Sequence, residues 1–249
     1  MRPRIVATDL DRDGGLPAVV VRGRPIGFST DRLLAPRSVA RATVGIVSGP
    51  STVFGRVRYD PARRRVAFEY DAESLVPGAE YHLVVRPGLA AWDGATTGET
   101  TVRSFLASTD AVPPGIDVNR VSLSRQIAPL LRERCATGGC HSAVRPVMNL
   151  DLSSPAAVRN TTVGVVSHER EPWRPESSSA TDPQWGSMLR IDAGREPGHG
   201  EPAYSYLLYK VLGDGPILGD RMPPPGFEPL AAEDMNALAD WIAQGASDN

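Results

Sequence analysis

The side chains best suited to chemistry lie in one seven-residue stretch, Cys135-Ala136-Thr137-Gly138-Gly139-Cys140-His141, which holds the only two cysteines of the sequence. Two thiols ahead of an adjacent imidazole form the arrangement that attaches a c-type haem. The sulfurs add to two vinyl groups and the imidazole stands under the iron. That arrangement ordinarily has two residues between the cysteines, whereas four stand here. Because the vinyl positions are fixed, the additional residues must bulge, and Gly138-Gly139 supplies the backbone freedom for a bulge. Two other chemistries compete for the same residues. Cys135 and Cys140 are spaced to close a small disulfide loop in an oxidising compartment. Zinc is the third candidate, but Cys135, Cys140 and His141 fall one ligand short of a structural site, and His168 and His199 show no matching spacing.

The elements that must position these residues can be read on either side. A helix is predicted from Ser122 or Ser124, each able to cap it, to about Arg134, with Pro129 kinking it. Ile127, Leu130, Leu131 and Cys135 fall on one face of that helix, so the first thiol is delivered to the interior that the leucines occupy. Ser153-Ser154-Pro155 reads as a second helix start. Residues 167–202 form a long polar insert broken by Pro and Gly, with Trp173 and Trp185 embedded. It reads either as a cover for a bound group or as a tolerated loop. Within it, Arg190 and Arg195 are candidates to pair with carboxylates of a bound group, though surface arginines are the commoner case.

Tyr204 to Leu212 is predicted as an amphipathic helix ended by Gly213. Met222 then stands in Gly219-Asp220-Arg221-Met222-Pro223-Pro224-Pro225-Gly226. A methionine alone ordinarily means core packing, but a loop stiffened by three prolines suits a weak thioether ligand. Ala231 to Gln244 reads as the last helix, with Met235, Leu238, Trp241 and Ile242 on one stripe and Glu233 and Asp234 in its first turn.

The first hundred residues carry a different pattern, short apolar or alternating runs separated by turn residues. Strands are expected at 4–8, 18–23, 26–29, 43–47, 52–59, 65–70, 80–86 and 101–106. In the clearest pair, Val53, Gly55, Val57 and Tyr59 alternate with other residues and lead into an Asp60-Pro61-Ala62-Arg63 turn, from which Val66, Phe68 and Tyr70 return. Such strands suggest an immunoglobulin-type sandwich. His82 reads as a packing or surface residue. Ser108 to Ile116, with two prolines, reads as a linker.

Composition sets outer limits. The 249 residues allow two cores, and 23 prolines with 24 glycines favour strands and loops. Net charge is −2, so a general nucleic-acid role has no electrostatic support. Residues 1–107 carry 15 arginines against 11 acids, while the remainder carries 12 basic residues against 18 acids. This imbalance supports a boundary near 108 and reads as two ordinary solvated surfaces. There is no apolar run long enough to span a membrane, and Met1-Arg2-Pro3-Arg4 does not lead into the core of a signal peptide. Since haem attachment requires export, the expectation is a mature form in which Met1 takes the place of a removed leader, located in the periplasm, cell envelope or outside.

Two resemblances extend this reading. Leu75-Val76-Pro77-Gly78-Ala79-Glu80-Tyr81, followed by Val84-Val85, Gly88-Leu89, Asp93-Gly94 and Phe105, is similar to the bacterial Ig-like domain of surface-layer and cell-envelope proteins. Asn149-Leu150-Asp151-Leu152, Ser205-Tyr206-Leu207 before Lys210, and Met222-Pro223, taken with the cysteine motif, resemble the class I cytochrome c domain of multidomain bacterial envelope proteins. That group includes versions with four residues between the cysteines. The resemblance implies one haem c held by Cys135 and Cys140, with His141 as proximal and Met222 as distal ligand. A backbone carbonyl at Pro146 or a neighbour would fix the imidazole.

The expected architecture is thus an all-β immunoglobulin-like sandwich over 1–107, a linker over 108–119, and a mainly α-helical class I cytochrome c domain over 120–249. The expected function is single-haem electron transfer at the cell envelope, with redox partner proteins and an Ig-like spacer or docking module. No Ser-His-Asp, paired-carboxylate or phosphate-loop constellation stands out, so catalysis is not expected. The alternatives are a haem-free structural or adhesive envelope protein with a Cys135–Cys140 disulfide, and a haem-based gas sensor or enzyme.

Overall fold

A computed structural model describes residues 1–11, 17–112, 120–167, 188–215 and 217–248. The chain divides into two compact units, Met1–Asp117 and Val118–Asn249.

The first unit contains two β-sheets. Strands β1 (Ile5–Thr8), β3 (Ile26–Thr30), β6 (Arg56–Asp60) and β7 (Arg65–Glu69) pair in the order β1-β3-β7-β6. Strands β2 (Ala18–Arg22), β4 (Val44–Ser48), β5 (Ser51–Thr52), β8 (Glu80–Val85) and β9 (Thr101–Ala111) pair in the order β2-β9-β8-β4-β5. Alternation decides which side of each strand is covered: in β8, Tyr81, Leu83 and Val85 are buried while Glu80 is exposed and His82 and Val84 lie between. The core collects Phe28, Phe68, Phe105, Ile46 and Leu83, all essentially inaccessible to water. Tyr81 and Phe105 stack at 5.8 Å between ring centroids. His82 is a half-buried strand residue whose Nδ1 lies 2.9 Å from Ser104 Oγ.

The hairpin expected at residues 60–63 is present, with Tyr59 opposite Val66 and Val57 opposite Phe68. Asp60 stabilises it by accepting from the Ala62 and Arg63 amides at 2.9 and 3.3 Å.

Three features depart from the expected sandwich. The run 52–59 is divided between the sheets: the Val53 amide still donates to Ile46 at 2.8 Å, whereas from Arg56 the chain pairs with β7. The crossing is made at Gly55, where a Cβ would lie 2.3 Å from Phe68 Cε1 and 2.4 Å from the Glu69 carbonyl oxygen. Second, β2 runs parallel to β9, with Ala18 opposite Phe105, where an immunoglobulin sandwich is antiparallel. Third, β9 does not stop at residue 107. It continues to Ala111 alongside β2, and the Val112 amide then donates to Arg22 at 2.8 Å. Residues 108–111 of the expected linker are therefore strand, and 113–119 lie outside the described residues.

The second unit corrects the expectation of a mainly α-helical cytochrome c domain. Its described helices are short: α1 (Ala128–Arg134), α2 (Pro155–Thr162), α3 (Tyr206–Leu212) and α4 (Ala232–Ala243), of 7, 8, 7 and 12 residues. Between them the chain runs through turns, single-turn helices and bridges, and the protein as a whole is β-rich. Proline is the physical reason, since it starts helices but cannot sustain them. Pro129 and Pro155 stand in the first turns of α1 and α2, and Pro202 opens an isolated turn before α3.

The expected kink at Pro129 takes a specific form. Residues Leu123–Ile127 make a wider π-type turn, capped by Ser122, and the Ala128 amide reaches back to Leu123. Pro129, which has no N–H, thus falls in the first turn of a new helix where none is needed. Helix α3 closes on Gly213 at φ +70°. In α4, Trp241 is fully buried and its indole N–H donates to the Ser247 carbonyl at 2.9 Å.

Gly55 offers a test of the strand crossing. Gly55→Ala should lower stability by about 1–3 kcal/mol through overpacking against Phe68, measured by urea unfolding; an unchanged midpoint would show that the crossing accommodates a Cβ.

Candidate functional site

Cys135 terminates α1, its amide donating to Leu131 at 2.8 Å. The chain then folds back on itself. Cys140 donates to Thr137 at 3.0 Å, and the His141 amide donates to the Cys135 carbonyl at 3.1 Å, closing the seven-residue loop. Gly139 sits at φ +86°, a conformation that suits glycine and disfavours side chains. Beyond the loop, β10 (His141–Ser142) pairs with β11 (Arg145–Pro146), and the Leu152 amide donates to the His141 carbonyl at 2.8 Å. His141 Nδ1 donates to the Val147 carbonyl at 3.2 Å, since a carbonyl can only accept. This bond orients the ring.

Met222 approaches from the far end of the unit. Its amide donates to Lys210 at 2.8 Å, and the Arg221 guanidinium clamps the following prolines by donating to the Pro223 and Phe227 carbonyls at 2.7 and 3.1 Å. Lys210 is buried and donates from Nζ to the Leu218 carbonyl at 2.6 Å. Two small cavities result. One, of about 60 Å³, is lined by Cys135, His141 and Met222 with Leu131, Leu152 and Leu207. The other, of about 150 Å³, is lined by Cys135, Cys140, His141 and Met222 with Val147 and Phe227. The four residues singled out in the sequence therefore come together around one cavity.

The cofactor expected there does not stand. Small-molecule and cofactor sites occupy roughly 300–1,000 Å³, and neither of these cavities approaches the volume of a porphyrin macrocycle. The cysteine spacing is not the two-residue spacing of the attachment motif. Among the described residues no three His, Cys, Asp or Glu side chains converge where a metal ion could sit. The assignments of haem c, of iron on His141 and Met222, and of electron transfer are corrected accordingly.

Arg190 is corrected as well. It is buried and aims its guanidinium at backbone rather than at a ligand carboxylate, donating to the Asn149 carbonyl at 3.0 Å and Thr161 at 2.7 Å, with Met148 at 2.5 Å. Arg195 is exposed. His168, Trp173 and Trp185 lie outside the described residues. The Val147 carbonyl is the neighbour of Pro146 expected to fix the imidazole, whereas the Arg190 clamp carries no sequence signal beyond the general one, that buried polar groups must be matched.

Thiol chemistry is what the site retains. Both cysteines are free. Cys135 keeps some exposure as a residue, but its sulfur is sunk among apolar side chains, and this burial pushes its pKa up to about 11. Arg134 acts against the shift and the nearby Cys140 thiol adds to it.

No protein-family model matches the chain, and no curated protein matches it. Solved structures similar to part of it include domains 1–6 of the surface-layer protein SbsC, at 16% identity over 51% of this chain and 16% of that one, with a TM-score of 0.34. A crystal structure of the S-layer protein rSbsC(31-844) aligns at 16% identity over 49% of this chain and 16% of that one, with a TM-score of 0.33. The α-2-macroglobulin of E. coli aligns at 12% identity over 51% of this chain and 7% of that one, with a TM-score of 0.33. The chain spans less than a fifth of the length of each of these three.

Two outcomes are expected. Arg190→Leu leaves buried carbonyls unmatched and should cost about 3 kcal/mol or more, with Arg190→Lys recovering only part, as measured by denaturant unfolding. Because the folded-state pKa of Cys135 lies above its ordinary value of 9.0, its share of stability is intact below pH 9 and is lost as pH rises through about 11. Alkylation of Cys135 in the folded Cys140→Ser variant should correspondingly accelerate only as pH approaches 11, followed by mass spectrometry.

Proposed function

We propose that this chain is a haem-free structural module of the cell envelope whose Cys135–Cys140 loop is closed by a disulfide. The observation that carries this reading is that both thiols line one cavity at the ends of a loop already closed by the His141 to Cys135 backbone bond. Disulfides form and persist in oxidising compartments, and this is what supports a place outside the cytoplasm. Among the described residues no helix is long and apolar enough to cross a membrane. The role is one of holding and positioning rather than catalysis.

The closing step transfers two electrons. Both thiols lose their protons, the S–S bond forms, and an oxidised disulfide reagent such as oxidised glutathione is reduced to two thiols. A loop this short gives a stabilisation of about 2 kcal/mol in the chain-entropy description.

Export of the chain behind a signal peptide, in a host equipped to attach haem, followed by denaturing mass measurement, tests the reading. The expected product is the unmodified chain less two hydrogens, without free thiols, and reduction should lower its melting temperature by several degrees. A mass increased by a haem would overturn the haem-free reading. Disulfide-linked dimers, or two free thiols after confirmed export, would overturn the loop closure.

A further inference from the structure

The first unit contains a cleft that the site above does not use. It measures about 610 Å³ and lies where the segment before β1 meets the chain entering β9. Its volume falls within the roughly 300–1,000 Å³ of ligand sites. Arg2, Arg4 and Arg103 line it, and Glu99 is its one acidic residue among the lining side chains.

The three guanidinium groups are held in different ways. Arg4 is bound from behind by Asp31, which accepts from both its backbone amide at 2.7 Å and its Nε at 3.1 Å, yet the side chain remains 74% exposed. Among the described residues its two terminal nitrogens have no hydrogen-bond partner. Arg103 is held in a similar way, with Nε 3.4 Å from Asp11 and one terminal nitrogen on the Val102 carbonyl, and among the described residues the other has no partner. The hydrogen bond from Thr8 and the Arg103 guanidinium hold the Asp11 carboxyl below its ordinary range, so it stays charged as an anchor. Arg2 has neither hydrogen bond nor ion pair among the described residues. Its guanidinium rests over Gly98, where a Cβ would come within 2.4 Å of Nη1.

Carboxylates anchoring two arginines through Nε, with the planar ends presented outward, make a preorganised receptor for planar oxyanions. The lining contains no aromatic side chain, so nucleobases would find no stacking surface. Thr101 and Glu99 supply the short polar contacts that sugar hydroxyls require. We infer that this cleft binds an acidic polysaccharide, seating sugar carboxylates on Arg2, Arg4 and Arg103. The inference is independent of the Cys135–Cys140 reading.

Binding of the full chain to polygalacturonate is measured by calorimetry at low salt, with neutral dextran, polyglutamate and single-stranded DNA as comparators. Polygalacturonate should bind, weaken with added salt, and bind more tightly than either other polyanion, while dextran does not bind. Arg2→Ala with Arg103→Ala should lower affinity by about tenfold or more, whereas the exposed Arg24→Ala, away from the cleft, should change it by less than about twofold. Arg2→Ala alone, at an exposed and unpaired side chain, keeps the test readable if the double variant loses stability. No binding at low salt, an equal loss in Arg24→Ala, or tighter binding of polyglutamate or DNA would overturn the inference.

Discussion

The second unit depends on one buried guanidinium. Arg190 draws the carbonyls of Met148, Asn149 and Thr161 toward a single positive group. Met148 and Asn149 are consecutive non-glycine residues at φ +58° and +56°, a conformation that costs about 1–2 kcal/mol per residue. The hydrogen bonds to Arg190 offset that cost and fix the turn. The turn in turn presents the Val147 carbonyl to His141. Arg190, which itself lines the smaller cavity, thus also sets the orientation of the imidazole.

Much of the local structure was legible because its determinants are local. The Asp60-Pro61 turn, the caps at Ser122 and Ser154, the Gly213 stop and the burial stripe of α4 each follow from a few neighbouring residues. Illegible features depend on contacts between distant segments. Nothing between residues 52 and 59 announces that the chain changes sheets, because the reason is the ring of Phe68 pressed on Gly55. The parallel approach of β2 to β9 joins positions 18 and 105, beyond the reach of any alternation pattern. The helices expected to end near 134, 212 and 244 are present with nearly those bounds; reading them as a mainly helical domain failed because they are short and the chain between them runs through turns and bridges.

The site shows the same division. Residue type and spacing drew attention to Cys135, Cys140, His141 and Met222, which share a cavity. They could not give its size. Volume is set by Leu131, Leu152, Leu207, Val147 and Phe227 and by the turns that carry them, and these determine whether a flat macrocycle, a water or a sulfur–sulfur bond fits between the polar groups. Donor chemistry narrows the candidates; packing chooses among them.

The parallel register of β2 and β9 has a mechanical consequence. A pull directed backward on the chain entering β2 and forward on the chain leaving β9 acts along the strand axes in opposite senses. The ladder from Ala18–Phe105 to Arg22–Ala111 is then loaded in shear, with its hydrogen bonds bearing tension together instead of opening one after another. An antiparallel closing pair pulled from the same two ends would peel. The length of β9, which carries this ladder to the edge of the unit, makes the first domain a stiff element under tension.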